Sequence, residues 1–180
     1  MKKFLLYLVL LMLGAFLWWA VSPLILDKEV QDELDPALEA RLKMQEEVDS
    51  RHTNEEASAD TQNKETPRPP AGTAVFVEGP FPIKDTPGHT ASGEVEIIHS
   101  PEETLIRYLD YDGTNGPDLK IYLSKDLEAE DYIDLGQSKG NKGTLIYGVP
   151  MDADLSDYKY ILTWCEAFGV LFDYAEVKLN

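Results

Sequence analysis

Cys165 is the only cysteine of the chain, and it ends the apolar run Tyr160-Ile161-Leu162-Thr163-Trp164-Cys165. A cysteine with no partner in its own chain is a buried inert side chain, a link to another molecule, a cofactor ligand or a reactive thiol. A reactive thiol needs a base or a positive charge beside it and some access. Its nearest charged neighbour in sequence is an acid, Glu166. Free cysteine also packs well as a small hydrophobe, so a core role stands beside the chemical ones.

Metal and cofactor chemistry narrows quickly, although the identity of any metal is left open. A blue-copper site needs two histidines, a cysteine and usually a trailing methionine. No histidine or methionine follows Cys165. There is no Cys-x-x-Cys-His for covalent haem attachment. Thiolate ligation of haem by Cys165 stays open, with His89 or His99 as a second ligand if the fold brings one close. Asp110-Tyr111-Asp112-Gly113-Thr114-Asn115-Gly116 has the acids of a calcium loop but not its spacing, because Asn115 holds the glycine position and Ile121 the bidentate acid position. No Gly-x-Ser-x-Gly, His-Glu-x-x-His or phosphate loop occurs. Glu102-Glu103 and Asp152 with Asp154 read as solvated loop charges.

The elements that must position Cys165 are strands. Val95 and Ile97 alternate with Glu94 and Glu96, and Leu119, Ile121 and Leu123 alternate with Lys120 and Tyr122. Leu145, Tyr147 and Val149 form a third set, and residues 158–165 and 170–179 are rich in aromatic and β-branched types. Gly- and Pro-containing turns separate these runs. The period-two pattern after Thr73 predicts an all-β domain over 75–180, an antiparallel β-sandwich or barrel with one core. Alternation places Ile161, Thr163, Cys165 and Ala167 on one face of their strand, and Leu162, Trp164, Glu166 and Phe168 on the other.

The N-terminus has a different character. Lys2 and Lys3 precede a run from Phe4 to Leu26 without a charge, long enough as a helix to span a bilayer. Trp18 and Trp19 fall near its far end, where indoles favour the interface. Residues 1–26 are therefore expected to be an uncleaved signal-anchor that contacts membrane through 4–26 and leaves the rest outside the cytoplasm. Pro23 directly follows the best small-residue cleavage site, Ala20-Val21-Ser22. Val30, Leu34, Leu38 and Leu42 predict a juxtamembrane helix over 27–48. Pro36 interrupts it and suits the first turn of a second helix capped by Asp35. The stripe can pair with a partner helix or belong to a solvated stalk. Residues 49–74 are polar, charged and finally Pro-rich, which predicts a disordered linker acting as a tether. His52 lies within it.

The net charge is −17, and it is spread over spacer and domain alike. Such a surface repels phosphate backbones, so nucleic acid is excluded as a partner.

Taken in chain order, several motifs resemble one family. They are Gly88-His89-x-x-Ser92-Gly93, Asn115-Gly116-Pro117-Asp118-Leu119, Leu135-Gly136 before Lys139-Gly140-x-x-Gly143, Tyr147-x-Val149-Pro150, and Ile161-x-x-Trp164-Cys165-x-x-Phe168-x-Val170-x-Phe172. The set resembles the DM-thirteen domain, the Skeletor-type proposed electron-transfer domain, over roughly residues 75–180. The resemblance implies an all-β extracytoplasmic domain with a characteristic cysteine, carried here by Cys165. That cysteine is expected to act as a bare redox thiol or to hold a group such as haem, with Trp164 beside it as a cofactor contact. A redox partner is then expected to be a separate protein. The competing reading is a binding or adhesion module that recognises a surface protein or glycan, in which aromatics including Tyr108, Tyr111, Tyr122, Tyr132 and Trp164 would suit sugar stacking and Cys165 only fills the core.

Overall fold

The computed structural model describes residues 2–55 and 75–178. Helix α1 (Lys2–Ile25) comes first, then a short strand β1 (Glu29–Gln31) and helix α2 (Pro36–Glu55). Eight strands follow: β2 (Phe76–Asp85), β3 (Ala91–His99), β4 (Thr104–Gly113), β5 (Leu119–Ser124), β6 (Tyr132–Gln137), β7 (Lys142–Val149), β8 (Tyr160–Cys165) and β9 (Val170–Glu176). They form one sheet in the order β1-β7-β4-β3-β2-β9-β8-β5-β6. β2 serves both halves: its first part pairs with β3, and Ile83–Asp85 pair with β9 across a register shift at Glu78/Phe81. The sheet thereby curls into a half-barrel around one apolar interior.

The alternating runs occupy the expected strands. Val95, Ile97, Ile106, Ile121, Leu145 and Ile161 are fully buried inside the curl. The expected antiparallel sheet is corrected to a mixed one, because β1 pairs with β7 in parallel. Two glycines open the edge of β7 to it. A Cβ at Gly140 would lie 2.4 Å from Lys28 O, and one at Gly143, whose φ is +102°, would lie 2.1 Å from Val30 O.

The helix expected over 27–48 is also corrected: it begins only at Pro36 and runs on to Glu55, into the expected linker. Proline has no N–H to give and is tolerated in a first helical turn. Asp35 caps that turn by accepting from Ala37 N at 2.8 Å. Neither does this segment form a solvated stalk. Leu34 and Leu38 are buried against Val75, Ile98 and Leu105 on the outside of the sheet. Arg41 adds a two-pronged contact to Glu102, at 2.9 and 3.3 Å. The folded unit therefore begins near Leu26 rather than at 75. Residues 56–74 of the expected linker lie outside the described residues.

α1 is 24 residues long. The side chains of Lys2, Leu6 and residues 19–25 are outside the description, and among the described residues no helix is long and apolar enough to cross a membrane.

Candidate functional site

Cys165 is the last residue of β8. It pairs with Leu119 on β5 and Val170 on β9, so its side chain enters the interior on the face of Ile161 and Thr163. The expected alternation stops there, because residues 166–169 form a turn and Phe168 is exposed. The thiol is fully buried between Leu119 and Phe172. It donates a 3.0 Å hydrogen bond to Pro117 O.

The loop above it is the Asn115-Gly116-Pro117-Asp118 turn. Gly116 is required there, since a Cβ would lie 2.7 Å from the Phe172 ring. Asn115 holds the loop from both sides. Its Oδ1 accepts from Gly116 N at 2.9 Å, and its Nδ2 donates to Leu26 O at 2.7 Å. This second bond fastens the residue just beyond α1 to the loop that covers the thiol. A cleft of about 700 Å³ opens on the other side of the loop, lined by Leu26, Pro117, Asp118, Gln137, Ser138 and Lys139 among others. Pro117 thus touches both the cleft and the thiol.

The remaining sequence candidates are not assembled around Cys165. Trp164 points to the opposite face of the sheet, where it stacks with Tyr122 at 6.5 Å and Tyr122 stacks with Tyr132 at 4.0 Å. His89 stacks on Phe172 at 3.8 Å, which leaves that ring between it and the sulfur. His99 lies at the far end of β3, stacked on Phe76 at 4.5 Å and 3.6 Å from Glu78. Among the described residues no three His, Cys, Asp or Glu side chains gather as a metal site. Haem does not fit this arrangement. The sulfur is committed to Pro117 O, backbone stands between it and the cleft, and neither histidine faces it.

Sequence reasoning missed a polar group inside the barrel. Asp173 on β9 is buried, paired in register with Thr163 on β8. Tyr111 on β4 donates to its Oδ2 at 2.7 Å. Thr163 Oγ1 lies beside them without reaching an ordinary hydrogen-bond geometry. Burial pushes the Asp173 carboxyl up to about 6, against the lowering effect of Thr163 and Tyr111. Desolvation likewise holds the Tyr108 and Tyr111 phenols well above their usual range. The available signal was an acid within Val170-Leu171-Phe172-Asp173-Tyr174-Ala175, two residues from the inward Ala175.

The profile of the family Electron transfer DM13 matches residues 82–177, more than half of the chain. The chain belongs to the electron-transfer DM13 family. No curated protein and no solved structure matches it. The DM13 match covers β3 to β9 and the end of β2, and so includes Cys165, Tyr111 and Asp173. It leaves out α1, β1 and α2; of these, β1 pairs with β7 at the sheet edge and α2 docks onto this DM13 domain from outside.

Proposed function

We propose that this chain is a membrane-anchored, extracytoplasmic electron-transfer module in which Cys165 is the redox group and a separate redox protein is the partner. The observation that carries the reading is the placement of Cys165 in a DM13 domain: its thiol sits one residue layer, Pro117, behind the cleft lined by Leu26, Asp118 and Lys139. A buried sulfur cannot touch a partner directly, so the electron crosses the Pro117 contact while the loop stays closed. α1 supports the anchor. Phe4, Leu5, Tyr7, Leu11, Phe16 and Trp18 are all exposed along it. Lys2 and Lys3 ahead of this apolar surface favour a cytoplasmic N-terminus, which puts the DM13 domain outside.

The deciding experiment is Cys165→Ser in the full chain, with reductive titration and urea unfolding side by side. Serine keeps the hydrogen bond to Pro117 O within reach but has no redox chemistry. We expect loss of electron transfer to added carriers with a stability cost of about 1–2 kcal/mol. Unchanged transfer in the destabilised variant would leave Cys165 as a core residue.

The second reading, a binding module, is favoured by the complete burial of Cys165 between Leu119 and Phe172. The Tyr132-Tyr122-Trp164 stack would then be its contact surface, with Tyr132 40% exposed. A sugar ring laid on that stack would quench Trp164 fluorescence, and Tyr132→Ala would abolish the response.

A further inference from the structure

The half-barrel holds a second group suited to moving an electron, and it does not involve sulfur. Tyr111 and Asp173 are 2% and 1% exposed and share a 2.7 Å hydrogen bond with the phenol as donor. Tyr111 meets Tyr108 edge-on at 5.2 Å, and Tyr108 meets Tyr147 edge-on at 5.9 Å. Tyr147 Oη accepts from Lys139 N at 3.0 Å, and Lys139 lines the cleft. Three phenol rings in contact therefore lead from the cleft wall to a buried carboxylate. The pocket is shaped for the Tyr111 hydroxyl, since a Cβ at Gly113 would lie 2.2 Å from it.

A phenol in an apolar interior cannot lose an electron and keep its proton, because the cation left behind has no solvent. Nor can it ionise first, for the same reason. An electron can leave only as the proton does, and the proton needs a positioned acceptor. We propose that Tyr111 is a proton-coupled redox site with Asp173 as its proton acceptor. In the forward step the Tyr111 O–H bond breaks and the proton forms an O–H bond to Asp173 Oδ2. One electron passes through Tyr108 and Tyr147 to a one-electron oxidant docked at the cleft, a high-valent metal centre of a partner protein, which is reduced. Tyr111 is left as a neutral phenoxyl radical and Asp173 as a neutral acid. The buried pair goes from one negative charge to none, so the low dielectric favours the oxidised state. Re-reduction returns the electron to Tyr111 and the proton with it. Thr163 on β8 and Tyr108 on β4 are the other polar groups facing the pair, and Asp85 is the exposed cross-strand neighbour of Asp173 on β2.

The proposal rests on the electron-transfer reading above but not on Cys165. Its test is flash oxidation of the full chain in detergent by photogenerated tris(bipyridine)ruthenium(III), read by electron paramagnetic resonance. We expect a neutral tyrosyl signal that falls at least tenfold in Tyr111→Phe and several-fold in Asp173→Asn. Tyr122 also donates to a carboxylate, that of Glu166, but Glu166 is exposed. Tyr122→Phe and Tyr132→Phe are therefore expected to leave the signal in place. If Tyr111→Phe fails to fold, 3,5-difluorotyrosine at position 111 replaces it, and the hyperfine pattern must change. A signal that survives Tyr111→Phe, ignores the fluorines, or is indifferent to Asp173→Asn overturns the proposal. Cys165→Ser run in parallel separates the two ideas: transfer lost with the tyrosyl signal intact supports both roles. Transfer lost with no radical at Tyr111 overturns this proposal alone.

Discussion

Asp173 is the residue whose cost to the fold is easiest to measure. Its carboxyl moves from the ordinary 3.8 to about 6, chiefly through desolvation. The folded state thus holds this proton more tightly than the unfolded chain does. The associated stability is fully present below pH 4 and is lost as the pH rises through about 6, a difference of about 3 kcal/mol. Asp173→Asn has no such proton to lose. Urea melts of both proteins from pH 4 to pH 7.5 should show the wild type losing about that much relative to the variant, mainly between pH 4 and 6. A constant difference across the range would mean that Asp173 is already ionised at pH 4, held by Tyr111. The inward position of Cys165 was legible in the sequence, because strand alternation joined it to Ile161 and Thr163. Asp173 was not, because an acid in a strongly acidic chain reads as surface charge. Only the β4–β9 packing shows that Tyr111 reaches it. Alternation also places Trp164 on the face opposite Cys165, which is where it stacks with Tyr122.

At the scale of elements, the sequence revealed the strands but not the strap that joins them to the N-terminus. The stripe Val30, Leu34, Leu38 and Leu42 was visible, and so was the capped start at Pro36. What it packs against was not, because a three-residue strand is specified by a distant edge. That edge is prepared at Gly140 and Gly143. Gly143→Ala should displace β1, since it combines a strained φ of +102° with a Cβ 2.1 Å from Val30 O. The expected cost is about 3 kcal/mol. Gly136→Ala is the control: its φ is +106°, yet nothing lies within 4 Å of the added atom. It should cost only the backbone strain, about 1–2 kcal/mol. Amide exchange at Val30 and Asp32 should accelerate in the first variant and stay unchanged in the second. Equal effects would show that β1 docking contributes nothing.

At the scale of the molecule, β1 and α2 change how the β-domain is joined to α1. If residues 49–74 were a tether, one cut there would release the domain. Instead β1 and α2 are docked ahead of that segment. Asp32 accepts from Ile146 N at 2.9 Å and from Lys139 Nζ at 2.6 Å. Leu34 and Leu38 each contribute about 2 kcal/mol by burial. Residues 56–74 then join two parts of one folded unit, and the connection to α1 is the short stretch around Leu26, tied to the cleft by Asn115. A protease site inserted between residues 60 and 70 tests this. After complete cleavage the two fragments should co-elute in gel filtration of the detergent-solubilised protein. They should part at a urea concentration below that which unfolds the β-domain. Leu34→Asp together with Leu38→Asp should let the cleaved fragments separate without urea, because two buried leucines become charges with no partner. Immediate separation of the wild-type fragments would restore the tether. Co-elution would mean that β1 and α2 hold the cleft at a fixed place beside the end of α1, so its orientation relative to α1 is set by the fold rather than by a free tether.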